Sequence, residues 1–168
     1  MLHGMADHVD GIQAQWRRER PDLDIRPQAV MGRLHRLADR LRDELVAGYA
    51  EFGLGEGEFD VMAALRRSGK PYEMAPADIA RHTMVTTGAA TKRLGRLEDA
   101  GLVERRASDV DGRSKIVRLT PGGRRLIDAA FTAHIEREHR LLAPLSATDR
   151  REMIRLLRKW DDALPESS

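Results

Sequence analysis

Hydroxyl and cationic side chains recur along residues 86–96 at positions that suit one face of a helix. They are Thr86, Thr87, Thr91, Lys92 and Arg96. Ala90, Leu94 and Leu97 recur at three- and four-residue spacing and are expected to point inward. Small hydroxyls and cations at the front of a helix suit the base edges and phosphates of DNA. The chemistry predicted for this stretch is therefore binding to double-stranded DNA.

Two predicted helices position these side chains. Pro76 can open a short helix over 76–82, because its missing N–H is one that a first helical turn leaves unpaired. A break at 83–85 separates it from a second helix over 88–100, and Gly101 ends that second helix. Two short helices joined by a tight break are typical of a helix-turn-helix.

A β-hairpin is predicted directly after the second helix. Residues 102–107 and 115–120 have the composition of two strands, and Asp111 with Gly112 supplies the turn signal between them. Arg113 and Lys115 lie at this turn, where we expect them to reach the minor groove or its phosphates. A basic hairpin beside a helix-turn-helix is a wing.

Positive charge is concentrated around these predicted elements. Residues 81–125 hold eleven Lys or Arg and five Asp or Glu, a net charge of +6, whereas the whole chain carries +2. The remainder of the chain therefore carries −4. Arginine makes up 25 of the 29 cations, as a biased base composition would produce, but such a bias explains abundance and not clustering. The clustering favours a nucleic-acid partner.

Amphipathic helices are predicted on both sides of this region. They cover 8–20, 28–52, 58–67 and 121–142, and a last helix follows a capping box at Ser146 to Asp149. The last two helices carry more apolar surface than a small core needs, which favours a partner subunit. The predicted fold class is mainly α with a small β-hairpin wing, a winged helix-turn-helix.

Composition excludes several classes of function. The 168 residues, 41% of them hydrophobic, suit one compact domain with a real core, and no apolar run approaches membrane length. Without a signal-peptide pattern the protein is expected to be cytoplasmic. Zero cysteines exclude disulfides and thiolate metal sites. The sequence contains no nucleophile motif and no phosphate loop, so nothing indicates an enzyme or a cofactor. His134 and His139 stand five residues apart, which suits surface or interface residues better than a metal site.

Three short motifs carry a resemblance to a known family. Residues 97–103 are Leu-Glu-Asp-Ala-Gly-Leu-Val, residues 111–114 are Asp-Gly-Arg-Ser, and residues 119–120 are Leu-Thr. In this order and spacing they resemble the MarR family of winged-helix regulators. The resemblance implies a homodimer built from the N- and C-terminal helices, which binds a palindromic operator as a repressor. Two reading helices related by a two-fold axis and spaced about 34 Å apart would recognise both halves of such an operator.

The resemblance also implies a division of the chain. Residues 1–24 would be an added N-terminal helix and linker, 57–120 the winged helix-turn-helix, and 25–56 with 121–168 the dimerisation helices. The added helix is similar to that of the urate-responsive members of the family.

In those members four side chains line a ligand cleft, and the positions that match here are Trp16, Asp60, Arg93 and Arg105. A planar anion such as urate can stack on an indole, and guanidinium groups can bind its charge. Asp60 would repel the anion and so move its helix against the helix that carries Arg93.

Simpler interpretations of the same residues stay open. Trp16 would then only pin the added helix, Asp60 would cap a helix or pair with an arginine, and Arg93 and Arg105 would contact phosphates. Another phenolic or carboxylate ligand would fit the same family, and a DNA-binding architectural protein would need no ligand.

Overall fold

The structure is a computed structural model that describes residues 7–83, 87–107 and 115–165. The chain divides into two compact units, Met1–Ala47 and Gly48–Ser168. The helices are α1 His8–Glu19, α2 Gln28–Ala50, α3 Glu56–Arg67, α4 Pro76–His82, α5 Thr87–Asp99, α6 Pro121–Leu141 and α7 Ala147–Asp161. The strands are β1 Glu73–Met74, β2 Val103–Ala107 and β3 Lys115–Leu119. The predicted domain boundaries at 24, 56 and 120 stay a prediction.

The N-terminal unit joins α1 to all but the last three residues of α2. Asp7 and Asp10 form a capping box at the start of α1, and Arg33 of α2 donates to both carboxylates at 2.8 Å. Val9 is buried against Gly32, where an added Cβ would lie 3.2 Å from a Val9 methyl group. The close approach of the two helices therefore leaves little room for a side chain larger than that of glycine at this position.

The C-terminal unit contains a three-stranded antiparallel sheet in the order β1-β3-β2. Val103 pairs with Leu119 at one end of the predicted hairpin and Ala107 with Lys115 at the other. The predicted turn between these strands lies outside the described residues. Strand β1 was not predicted, and it joins the sheet where Glu73 pairs with Arg118.

Helices α3, α4 and α5 pack on this sheet through apolar side chains. The largest fully buried side chains of the core, which also include one from β3 and one from α6, are Val61, Met62, Leu65, Ile79, Leu94, Leu97, Val117 and Ile127. Burial of each such side chain stabilises the fold by roughly 1.5–3 kcal/mol. The expected inward orientation of Leu94 and Leu97 on α5 is confirmed, whereas the side chain of Ala90 lies outside the described part of the chain.

Helix α6 begins in direct contact with the sheet. The hydroxyl of Thr120 accepts a hydrogen bond from the Gly123 N–H at 2.9 Å and caps the helix. The Thr120 N–H donates to the Leu102 carbonyl at 3.1 Å. A Cβ at Gly123 would overlap that same carbonyl, so only glycine allows α6 to approach the start of β2.

Helix α7 begins with the predicted capping box, in which Ser146 and Asp149 satisfy each other's backbone N–H groups. Its apolar side chains are exposed in the single chain. They are Met153, Ile154, Leu156, Leu157 and Trp160, followed by Leu164 just beyond the helix. Among the described residues, no helix combines the length and apolar character that crossing a membrane requires.

Candidate nucleic-acid and ligand site

Helix α5, called here the recognition helix, presents the predicted polar side chains to solvent. Thr91 and Lys92 are exposed, and the Arg96 side chain is 59% exposed. Leu94 and Leu97 hold the opposite face in the core. The orientation suits the predicted DNA contacts, which themselves stay a prediction.

Arg96 also has a structural partner, which the sequence did not reveal. Its Nη1 donates to Oε1 of Glu58 on α3 at 2.8 Å, and the Glu58 side chain is only 11% exposed. A carboxylate removed from water to this degree is costly unless a cation and hydrogen bonds compensate it. Arg96 therefore stabilises the packing of the recognition helix on α3 in addition to any contact with DNA.

Several predicted DNA contacts cannot be placed. Thr86 and Arg113 lie outside the described residues, and so does the side chain of Thr87. Lys115 is exposed at the end of β3 that leads to the turn. Neighbouring cations of the sheet make ion pairs, as when Arg106 bonds Glu73 of β1 at 2.9 Å.

Arg93, a predicted ligand residue, lies on the side of the recognition helix that meets α3. Its guanidinium covers Gly57 so closely that a Cβ there would overlap it. The Nη1 atom of Arg93 is buried and, among the described residues, has no hydrogen-bond partner. A buried donor without an acceptor is rare and costs about 1–3 kcal/mol, so an acceptor that reached this atom would stabilise it.

Asp60 lies one helical turn after Gly57 on the same helix. Burial is the main cause that raises the pKa of Asp60, the charge of Glu56 adds to it, and the nearby charge of Arg93 opposes it. Burial together with the charge of Asp60 raises the pKa of Tyr49 to about 12. The structure therefore brings Asp60 and Arg93 into one electrostatic neighbourhood, in which Asp60 is half-buried.

Arg105 has a different neighbour. Its Nε lies 3.1 Å from Oε2 of Glu98, close enough for an ion pair, yet this buried N–H is not aligned for a hydrogen bond. Glu98 belongs to the last turn of the recognition helix, so Arg105 links that helix to β2. Trp16, the fourth predicted ligand residue, lies on α1 in the N-terminal unit and is 45% exposed.

Of the two histidines expected at the surface or an interface, His139 is exposed and His134 is largely covered within the single chain. Its side chain is only 13% exposed, its Nδ1 lies 3.3 Å from the Tyr49 hydroxyl, and its Nε2 lies 3.2 Å from Glu138. The ring also packs beside Phe59 and Phe131. Within the described ranges, no group of His, Asp or Glu side chains is arranged to hold a metal ion.

Comparison with known proteins identifies the family. A family model described as "MarR family" matches residues 52–114. The HTH-type transcriptional regulator PecS of Dickeya dadantii is 39% identical over 152 residues, which cover 89% of this chain and 90% of PecS. The chain belongs to the MarR family. The MarR relatives include the HTH-type transcriptional repressor Rv2887 of Mycobacterium tuberculosis, 38% identical over 75% of this chain and 88% of the repressor.

Solved structures give the same assignment. A mutant of Escherichia coli MarR in complex with operator DNA has a TM-score of 0.69 at 25% identity, over 85% of this chain and all of that one. Rv2887 in complex with p-aminosalicylic acid has a TM-score of 0.60 at 35% identity, over 79% of this chain and 98% of that one. The expected winged-helix transcriptional regulator is thus confirmed at the level of the family.

Proposed function

We propose that this MarR-family protein is a repressor that binds a palindromic operator as a homodimer and releases it when a small anion binds. Urate is the first candidate for that anion. The relatives named above are transcriptional regulators or repressors, and the MarR structure with operator DNA supports the same partner here.

The DNA-binding half of the proposal rests on the exposed side of the recognition helix. Thr91 is proposed to contact a base edge, and Lys92 and Arg96 to contact phosphates, because hydroxyls suit base edges and cations suit the backbone. Arg113 and Lys115 of the wing are proposed to add contacts in the minor groove.

The ligand half rests on one observation, the buried unpaired Nη1 of Arg93 beside Asp60. A guanidinium that lacks an acceptor can bind the oxygen of a planar anion, and Arg105 on β2 is the second proposed cation. Asp60 opposes an anion there as long as it is ionised. Binding therefore requires either displacement of the Asp60 carboxylate or its protonation.

Arg93 also links ligand binding to DNA binding. Arg93 sits on the recognition helix, and its guanidinium fills the space over Gly57 without a gap. An anion that draws this guanidinium away changes how the recognition helix packs on α3. A coupling free energy of about 1.4 kcal/mol is enough for a tenfold loss of DNA affinity.

A phenolic carboxylate is the second candidate ligand. The Rv2887 structure contains p-aminosalicylic acid, and Rv2887 is 35% identical to this chain in that comparison. Such a ligand also offers a planar ring and an anionic oxygen to Arg93. The two candidates differ in shape, so a direct competition between them decides which one the protein prefers.

The test is an anisotropy titration of labelled DNA taken from the region flanking the gene, with random DNA of equal length beside it. We expect specific binding that urate weakens at least tenfold at millimolar concentration. Equal affinity for both DNAs, with no effect of either ligand, would instead identify an architectural protein.

Substitutions separate the two functions of the site. Arg93→Ala should retain operator binding and lose the ligand response, while Arg40→Ala, an exposed arginine of α2, should change neither. Loss of operator binding with the response intact would assign Arg93 to a phosphate. Trp16 is tested by its fluorescence, which urate should quench in the wild type and not in Trp16→Phe.

A further inference from the structure

A second basic site lies at the base of the wing, away from the predicted DNA contacts. A cavity of about 660 Å³ is lined there by Lys70, Arg118, Arg124 and Arg125, with Glu104 as its one acidic residue. Four cations against one anion give this cavity a local charge of +3. Like charges gathered around one cavity repel each other, and an anion bound inside would relieve that repulsion.

The position of the cavity separates it from the turn of the wing. Its β3 residues are Arg118 and Leu119, whereas the turn leads into β3 at Lys115. Arg118 lies three residues after Lys115, and three residues of strand span about 10 Å. The cavity therefore does not depend on the residues proposed to enter the minor groove.

The ion pairs of the lining cations are long. Arg118 Nε lies 3.9 Å from Glu73, and Arg124 Nε lies 3.9 Å from Asp128. Both distances exceed those of hydrogen bonds. The neighbouring carboxylates still attract these arginines but make no hydrogen bond to them, so they do not occupy the guanidinium donors.

Tyr72 also lines the cavity, and two arginines lie over its ring. The Arg66 guanidinium lies 4.9 Å and the Arg124 guanidinium 5.5 Å from the centre of the Tyr72 ring. The Tyr72 backbone has φ +66°, a conformation that costs a bulky residue about 1–3 kcal/mol, and its carbonyl accepts from the Leu119 N–H at 3.1 Å. The strained turn thus holds an aromatic ring and an arginine beside the cavity.

We propose that this cavity binds a small molecule that carries a phosphate group. Three of the four cations are arginines, whose planar fork matches a phosphate in bidentate fashion. The volume falls in the range of about 300–1,000 Å³ that small-molecule sites occupy and exceeds the space that a bare phosphate fills. Apolar atoms of Pro71, Leu119 and Pro121 line the rest and suit the organic part of the ligand.

The experiment is calorimetry of the full-length protein, without DNA, with inorganic phosphate, pyrophosphate and AMP as probes. Sodium chloride of equal ionic strength serves as the blank. We expect pyrophosphate and AMP to bind at low millimolar concentration or better. Tighter binding of AMP than of inorganic phosphate supports the proposal, and the reverse order contradicts it, because a free phosphate ion would then be the ligand.

Charge variants locate the binding. Lys70→Gln/Arg125→Gln removes two exposed cations of the cavity and should weaken pyrophosphate binding at least tenfold. Glu104→Gln removes the acid and should strengthen it severalfold. The control Arg158→Gln/Lys159→Gln removes the same charge from an exposed face of α7 and should leave it unchanged.

Three further results would overturn the proposal. The first is that no probe gives a measurable heat of binding. The second is that the α7 control loses as much pyrophosphate affinity as Lys70→Gln/Arg125→Gln. The third is that Glu104→Gln binds pyrophosphate no more tightly than the wild type. Operator titrations add a fourth. If Lys70→Gln/Arg125→Gln weakens DNA binding as strongly as pyrophosphate binding, the cavity holds a DNA phosphate and not a small molecule.

Discussion

The absence of a side chain at Gly57 of α3 lets Arg93 of the recognition helix pack directly on the α3 backbone. Arg93 of the recognition helix occupies the place of the missing Cβ, and its Nη1 there has no acceptor among the described residues. A small change at residue 57 therefore acts on the position of Arg93, while the apolar core below it stays intact.

Gly57→Ala should displace the Arg93 guanidinium and weaken the ligand response about tenfold. Stability should change by less than about 1 kcal/mol, because alanine favours helix and the far end of an arginine can move. Thermal unfolding and the operator titration with ligand measure the two effects. Gly11→Ala, at a helix position with open space around it, is the matched control and should leave the response intact. An unchanged response in Gly57→Ala would show that the seat of Arg93 is irrelevant to the switch.

Asp60→Asn should make stability less dependent on pH. The folded protein holds the Asp60 proton more tightly than the unfolded chain, because burial raises the pKa of this carboxyl above 3.8. Its contribution is therefore fully present below the ordinary pKa and declines as pH rises through the raised value. We expect the Asn variant to melt higher than the wild type near pH 7 and to lose that advantage as pH falls below about 4. A lower melting temperature of the variant near pH 7 would mean that attraction to Arg93 outweighs the cost of burial.

At the scale of elements, the packing of α3 on the recognition helix depends on the ion pair of Glu58 with Arg96, in which only the arginine is exposed to solvent. Glu58 is nearly buried and Arg96 is mostly exposed. The exposed partner is screened by water, so the pair contributes less than a fully buried one would. Removal of only one partner nevertheless leaves a carboxylate in a place where water cannot hydrate it.

A double-mutant cycle measures this pair. Arg96→Ala should cost about 1–2 kcal/mol of unfolding free energy, and Glu58→Gln in the same background should recover most of it. Urea unfolding of the four proteins gives the coupling. Simple additivity of the two single changes would contradict a direct interaction.

Lys92→Ala tests the other face of the recognition helix. Since Lys92 is exposed and proposed to neutralise one phosphate, the slope of log affinity against log salt should become shallower by about one unit. Stability should not change. Lys159→Ala on α7 is the control for removal of one lysine, and an equal change of slope in that variant would exclude Lys92 as a specific contact.

Periodicity and capping explain which elements the sequence could predict. The predicted helix at 76–82 has the observed bounds, and Ser146 with Asp149 caps α7 as expected. Helix α3 begins at Glu56, two residues before the predicted start, because Gly55 caps it through extended backbone alone and leaves no side-chain signal. Strand β1 has only two residues and therefore no period to detect.

The site was less predictable than the fold, because its key contacts join residues far apart in sequence. The predicted pair Asp60 and Arg93 does share one neighbourhood. The ion pair of Glu58 with Arg96 spans 38 positions, and nothing in the spacing of either residue indicates the other. Likewise, the residues around Gly57 give no sign that this glycine is the contact surface for Arg93.

On the scale of the whole molecule, exposed apolar side chains support the proposed homodimer. Leu156, Leu157 and Trp160 follow one side of α7 and remain exposed, together with Val30 and Leu37 of α2. Water-exposed apolar surface of this kind marks an interaction site in soluble proteins. A second copy of the chain would bury these side chains.

Leu157→Glu should convert the dimer to a monomer and reduce operator affinity at least tenfold. A monomer has one recognition helix and can bind only one half of a palindromic operator. Analytical ultracentrifugation and the operator titration measure the two effects together. Arg158→Glu, on the polar side of the same helix, should leave both properties close to wild type. A variant that remains dimeric would place the subunit contact elsewhere.

The contact of Gly123 with Leu102 gives α6 the properties of a lever. The helix has 21 residues and is thus about 31 Å long, and at its first turn no Cβ separates it from the backbone that leads into the wing. If α6 tilts by about 5° about its far end, its first turn moves by about 3 Å. That displacement equals the full length of a hydrogen bond. Because no side chain separates Gly123 from Leu102, such a tilt should carry the backbone that leads into the wing with it, over a distance that would break a contact with a phosphate.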